Sequence, residues 1–273
     1  MKLSPAKTPS GTRFRRLAGL AASTLLAVVP AALQAGPAAP AAETGTIKGK
    51  LVWDGGAIPK PKVEDKAAKD KDAVCRTNPI LNKDLTIDPE TKGVADGIAY
   101  LVNVSGDYSA TAKALVAKKP DVVVDQINCE YVPYASVVYK GQKLTFKSSD
   151  PVGHNVDFKP MAAGNGAINP MLPPNGKVDY KIKAAEKRPT AVVCSIHPWM
   201  KGYVYIADNP FAVVTQADGS FEIKDVPAGE QHLVVWQSTK GYVTPGLAKG
   251  LAVTVKAGET ADVGAIKLVP TAK

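Results

Sequence analysis

The sequence predicts an all-β protein, and three observations carry that reading. Short runs rich in β-branched and aromatic residues recur along most of its 273 residues, Gly, Pro, Asp and Asn punctuate them, and one stretch alone has a helical pattern. The runs are residues 46–53, 97–104, 135–139, 143–148, 177–183, 191–194, 203–207, 220–224, 232–236, 251–256 and 262–268. The helical stretch is 110–119, rich in Ala and Lys, with Ser109 as its N-cap and Pro120 as its stop. It reads as a connector.

The N-terminus has a different character. Lys2, Lys7, Arg13, Arg15 and Arg16 form a basic start without any acid, an apolar run spans Leu17 to Leu33, and Ala32-Leu33-Gln34-Ala35 ends in small residues. Residues 1–35 are therefore expected to be a removable export signal. Pro30 and the short run argue against a bilayer-spanning anchor, and the pair Arg15-Arg16 leaves twin-arginine export open beside the general route. Residues 36–44 form an Ala/Pro-rich linker.

More than half of the formal net charge of +9 resides in those five basic side chains, so the mature chain needs no nucleic-acid partner. The charge-dense stretch from Lys60 to Asp72 alternates in sign and reads as a solvated loop.

Towards the C-terminus, Asp218-Gly219 and Asp225-Val226-Pro227-Ala228-Gly229 flank a short strand, the mark of a tight β-meander. This pattern resembles the carboxypeptidase regulatory-like, or transthyretin-like, sandwich, and Gly45-Thr46-Ile47-Lys48-Gly49-Lys50-Leu51 looks like the opening strand of the same module. The resemblance implies a discontinuous sandwich from 45–120 and 209–273 with a second domain, 121–208, inserted in it or adjacent to it. Insertion at a surface loop is undemanding because domain termini lie close together. Three consecutive small modules are the rival arrangement.

Three cysteines in an exported chain leave one unpaired after a single disulfide. Cys194 lies in a cluster of metal-ligand residue types, so Cys75 and Cys129 are the expected pair. Their loop of about 54 residues would stabilise the fold by roughly 4 kcal/mol. Two buried free thiols are the alternative.

The segment Val193-Cys194-Ser195-Ile196-His197-Pro198-Trp199-Met200 places a thiol, an imidazole and a thioether in seven residues between two strands. His154 follows the strand 143–148, and a β-sandwich readily brings two such loops to one end. Two histidines and a cysteine with a weak methionine suit copper. Structural zinc draws on further Cys or His, and iron–sulfur clusters need more cysteines.

Residues 121–208 resemble the cupredoxins, the blue-copper family, and the loop is most similar to that of the amicyanins. The family's Cys-x-x-His-x-x-Met loop carries Pro after the histidine and an aromatic before the methionine, the places of Pro198 and Trp199. Asn155 and Val156 match the Asn and apolar residue after the family's upstream histidine. The resemblance implies a Greek-key sandwich, one copper cycling between Cu(I) and Cu(II) on His154, Cys194, His197 and Met200, and outer-sphere electron transfer through a more exposed His197. Ser195-Ile196 and the flanking sandwich depart from the pattern.

Around the ligands, Pro198 has no N–H to donate near the Cys194 sulfur, Trp199 is placed to cover the site, and Asn155 either ties the two ligand loops together or simply forms a turn. His232 alternates with Val234 and Trp236 along a strand and reads as structural. With three histidines in all, a second catalytic copper centre is not expected, and four protein donors leave no open position for a substrate. Gly36, the expected mature N-terminus, is not a histidine. The expected role is a non-enzymatic electron carrier in the periplasm or at the cell surface, working with a redox partner protein and lacking a membrane span in its mature chain. A copper-binding or delivery protein and a structural β-sandwich surface protein are the alternatives.

Overall fold

The computed structural model of the protein describes residues 43–245 and 249–270. The expected export signal, 1–35, and the linker up to residue 42 lie outside the described residues. Among the described residues no helix is long and apolar enough to cross a membrane.

The chain is all-β. In order it forms β1 (Thr44–Trp53), α1 (Asp65–Ala68), α2 (Ala73–Arg76), β2 (Ile98–Val102), α3 (Ser109–Lys118), β3 (Asp121–Ile127) and β4 (Glu130–Val132). Next come β5 (Ala135–Tyr139), β6 (Lys143–Ser148), β7 (His154–Asn155), β8 (Asp157–Phe158), β9 (Met171–Leu172), β10 (Lys177–Tyr180) and β11 (Thr190–Val193). The last are β12 (Lys201–Ala207), β13 (Ala212–Val214), β14 (Ser220–Pro227), β15 (Gly229–Gln237), β16 (Gly241–Tyr242), β17 (Leu251–Val255) and β18 (Thr260–Leu268).

Strand pairing separates the chain's flanks from its middle. The flanks supply one sheet in the order β14-β1-β18 and a second in the order β13-β2-β15-β16, with β17 also on β15. The middle supplies β10-β6-β3-β4 and β5-β12-β11-β8, with β7 paired to β9. Asp218-Gly219 turns the chain into β14, and Gly219 takes the positive φ of 82° that such a turn demands.

Alternation along three strands explains how four sheets stack. In β2, Ala99 and Leu101 enter the flanking core while Ile98 and Tyr100 enter a second cluster. In β15, Leu233 and Val235 face the first and Val234 and Trp236 the second. In β12, Tyr205 and Ala207 join that same cluster from the opposite side, while Val204 and Ile206 face the core of the middle sandwich. Strands buried on both faces read as continuous apolar runs, which is the pattern at Leu233–Trp236 and Val204–Ala207. Each fully buried aliphatic or aromatic side chain is worth about 1.5–3 kcal/mol, so the shared layer is a true core. Tyr100 packs tilted against Tyr205, ring centres 4.3 Å apart, and Tyr203 against Trp236 at 4.9 Å across it.

Two local readings change. Ser109 is the first residue of α3, not its cap: Asp107 Oδ1 accepts both its backbone N–H, at 2.9 Å, and its hydroxyl. The stretch 60–72 is more than a solvated loop. It contains α1, and Ala67 is buried in the core of the middle sandwich.

Asp84, in the connection between β1 and β2, joins both sandwiches. Its carboxylate accepts from Tyr134 at 2.7 Å and pairs with Lys201 at 2.6 Å, while its carbonyl accepts from Ser238 Oγ at 2.7 Å and from the Gln237 side chain. Burial opposes its ionisation, but Lys201, Tyr134 and Asn82 outweigh it and hold the carboxyl below its ordinary range. A lowered folded pKa gives stability that is complete above the ordinary carboxylate range and is lost as pH falls through the lowered value. Asp84→Asn is expected to cost about 1–2 kcal/mol at pH 7, the pair being partly exposed. In urea unfolding, that gap from wild type should close as the pH drops below both carboxyl values; a pH-independent gap would refute the assignment.

Candidate metal centre

Two loops at one end of the middle sandwich build the site. The first follows β6 and reaches His154 and Asn155, which are held as β7 against Leu172 and Met171 of β9. The second is the connection between β11 and β12. Because Val193 pairs with Lys201, Cys194 and Met200 are the next facing residues, and Cys194 N–H donates to the Met200 carbonyl at 3.1 Å. The Met200 N–H donates to the His197 carbonyl at 2.8 Å, tightening the turn between them.

The structure brings His154, Cys194 and His197 together: one ligand atom from each lies within 4.8 Å of the others. The two Nδ1 atoms are 2.8 Å apart, and Cys194 Sγ is 3.8 Å from His197 Nδ1. All three side chains are buried, as is Met200 in the same core cluster. His197 is 0 % exposed, which corrects the expectation of an exposed imidazole edge. What covers it is the segment between α1 and α2.

The outward nitrogen of each ring meets a carboxylate. His154 Nε2 is 2.8 Å from Asp150 Oδ2, and His197 Nε2 is 3.3 Å from Asp72 Oδ2 and 3.8 Å from Asp70 Oδ1. An Nε2–H held in this way leaves Nδ1 free to bind a metal. Asp150 also accepts from the backbone N–H groups of Asn128 and Cys129 at 2.6 and 2.8 Å.

Electrostatics prepare the thiol. Burial disfavours ionisation of Cys194, but His154 and the backbone N–H groups of Asn155, His197 and Ile196 pull it down to about 6. Burial likewise opposes charge on His154, yet Asp150 and the Cys194 sulfur lift it to about 9. Burial works against Asp150 too, and His154 with the two backbone donors holds it below its usual range. A thiolate beside two histidine rings inside a ring of carboxylates suits a cation, which on binding would displace the proton that these shifts keep on His154, and this donor set is one that transition metals take.

Asn155 lies between the loops: its Oδ1 accepts from Ser195 N–H at 2.7 Å, and its Nδ2 donates to Ser195 Oγ at 3.2 Å. Trp199 packs on His197 at 5.2 Å, and its Nε1–H donates to the Cys129 carbonyl at 3.2 Å. Pro198 stands between these two rings in the chain, without an N–H to donate. His232 lies in β15 of the other sandwich, its Nε2 3.7 Å from Glu230.

Sequence reasoning missed Asp150, Asp70, Asp72, Tyr131 and Gln126. The Tyr131 hydroxyl is 2.9 Å from the Asn155 carbonyl and 3.1 Å from that of Val193, so it stands against both ligand loops, and the Gln126 amide donates to it at 3.1 Å. Asp150 offered a signal, an acid four residues before His154. Asp70 and Asp72 offered none near the ligands.

No family model and no curated protein matches the chain. Among solved structures, a reduced variant of amicyanin aligns at 25% identity over 40% of this chain and 98% of its own, with a TM-score of 0.29. Amicyanin from Paracoccus versutus aligns at 23% identity over 32% and 81%, with a TM-score of 0.28. The copper-containing nitrite reductase of Thermus scotoductus SA-01 aligns at 18% identity over 32% of this chain, with a TM-score of 0.29. The match spans 22% of that enzyme's own length, and nothing of its activity transfers.

Cys75 and Cys129 form a disulfide, and Cys194 is a free, buried thiol. Denatured, unreduced protein should therefore take up one alkyl group, at Cys194, and three after reduction. Opening the loop of 54 residues should cost about 4 kcal/mol. Peptide mapping that recovers Cys75 and Cys129 alkylated without reduction would contradict the pairing.

Proposed function

We propose that the protein is an exported, mononuclear type 1 copper protein that passes single electrons to and from a redox partner protein by outer-sphere transfer. The supporting observation is the convergence of His154, Cys194 and His197 within 4.8 Å, with each outward ring nitrogen taken by a carboxylate. Met200, facing Cys194 across the loop neck, is the proposed weak axial ligand. The cupredoxin-like spacing of the loop, Pro198 and Trp199 included, points the same way.

A bound copper would supply one-electron redox chemistry. The chain's residues supply the rest. The hairpin register and the loop bonds hold Cys194, His197 and Met200 on a rigid frame, and Asn155 with Tyr131 holds the His154 loop against it. A packed, dry site resists movement of its ligands, which favours electron exchange without rearrangement. Burial of every proposed ligand also favours retention of the metal over its delivery to another protein.

Loading the purified chain with Cu(II) should give an intense visible thiolate-to-copper charge-transfer band and a narrow copper hyperfine splitting in EPR. Cys194→Ser should lose the band entirely. A wild-type protein that takes up copper without that band would refute a thiolate-bound type 1 site.

A further inference from the structure

The connection from Asp54 to Gly97 leaves the flanking sandwich after β1 and returns to it at β2. Its middle nevertheless packs into the other sandwich, where Ala67, Cys75 and Ile80 join the core that holds Cys194 and Met200. The segment is closed on itself. Val63 bridges to Leu81, Glu64 N–H donates to the Ile80 carbonyl at 2.8 Å, and the Asn82 amide donates to Glu64 Oε1 at 2.8 Å. Between α1 and α2, Asp72 N–H donates to Asp70 Oδ1 at 2.9 Å, and the Arg76 guanidinium donates to the carbonyls of Asp70 and Lys71. This folded turn is what sets Asp72 and Asp70 against His197 Nε2. The Cys75 sulfur lies within 4.8 Å of ligand atoms of Asp70 and His197, and the Cys129 sulfur within 4.8 Å of those of Asp150 and His154.

We infer that this connection is a cap that completes the metal site, with Asp72 as the positioning residue of His197 and the Cys75–Cys129 disulfide as its fastener. The inference rests on the copper reading for what the cap retains. A ring nitrogen wholly out of water needs a partner, and the partners of His197 Nε2 among the described residues are Asp72 and Asp70. Asp72 thereby does for His197 what Asp150 does for His154: it takes the Nε2–H and leaves Nδ1 to the metal. Removal of such a partner typically weakens metal binding about 10–100-fold. The flanking sandwich acquires a role, as the frame from which the cap springs.

The test uses the full mature chain, wild type and Asp72→Ala, Asp72→Asn and the double variant Cys75→Ala/Cys129→Ala. In the wild type, 15N-edited NMR in water should show a slowly exchanging ring N–H of His197, with or without metal. Asp72→Ala should speed that exchange at least about tenfold and release Cu(I) to a chelator about 10–100 times faster. Asp72→Asn keeps an acceptor oxygen and should recover most of the N–H protection, a rescue that a purely structural role would not produce. The double variant should release Cu(I) as fast as Asp72→Ala or faster. Unchanged N–H exchange in Asp72→Ala would overturn the proposal even if the double variant fails to fold. A wild type that takes up no copper would defeat the copper reading instead, while the metal-free NMR comparison would still decide the cap.

Discussion

Two imidazoles removed entirely from water leave ring nitrogens that must each find a partner, and this end of the molecule is organised around that demand. The Nδ1 atoms turn inward towards Cys194, so the Nε2 atoms need acceptors in the surrounding shell. Asp150 serves His154, but it is itself buried and requires donors of its own. They come from Asn128 and Cys129, the two residues between β3 and β4. Both have positive φ, 53° and 59°, which is what a two-residue hairpin loop matching the strand twist calls for. Their successive N–H groups form a small concavity for the carboxylate. Cys129 then carries the disulfide to Cys75, and the same cap carries Asp72 back to His197. The two imidazole rings are thus joined by one closed path of hydrogen bonds and covalent links.

The sandwiches supply rigidity to that path at different scales. Close to the site, the β11–β12 register sets where Cys194 and Met200 face each other, and a slip of one residue would turn their side chains to opposite faces. Further away, β2, β12 and β15 bury both faces, so the flanking sheets and the middle sheets share a core. A connection that starts in one sandwich can therefore close over a site in the other without depending on a mobile hinge.

How much of this is legible in the sequence depends on how local the cause is. Strands 135–139 and 143–148 coincide with β5 and β6, because alternation and flanking turns act within a few residues. β3 escapes notice because its apolar run is only Val122-Val123-Val124 and follows directly on the helical stretch. Cys194, His197 and Met200 share one hairpin connection, so their proximity is written into their spacing. The cap is not written anywhere near the ligands. Residues 60–72 have the alternating charge of a solvated loop, and most are indeed exposed. What draws Asp70 and Asp72 inward is the burial of Ala67 and Ile80 and a disulfide partner 54 residues away. The exposure of His197 is misjudged for the same reason, since a family resemblance in the ligand loop says nothing of what a distant segment lays over it.

The cap's second anchor explains why Asp84 gathers so many contacts. It follows the cap closely in the chain, and it pairs with Lys201, the residue directly after Met200. The exit of the cap and the exit of the ligand loop are therefore bonded to each other, and the Asp84 carbonyl fastens both to Gln237 and Ser238 at the end of β15. One anchor is covalent and sits beside the imidazoles; the other is ionic and sits where the two sandwiches meet. Between them the carboxylates of Asp70 and Asp72, themselves partly exposed, stay close to the fully buried ring of His197, where charge interactions are stronger than in water. In a site that holds copper, that negative charge favours the more highly charged oxidation state. Under the copper reading, the connection that covers His197 would therefore both limit access to the metal and shift its electron affinity.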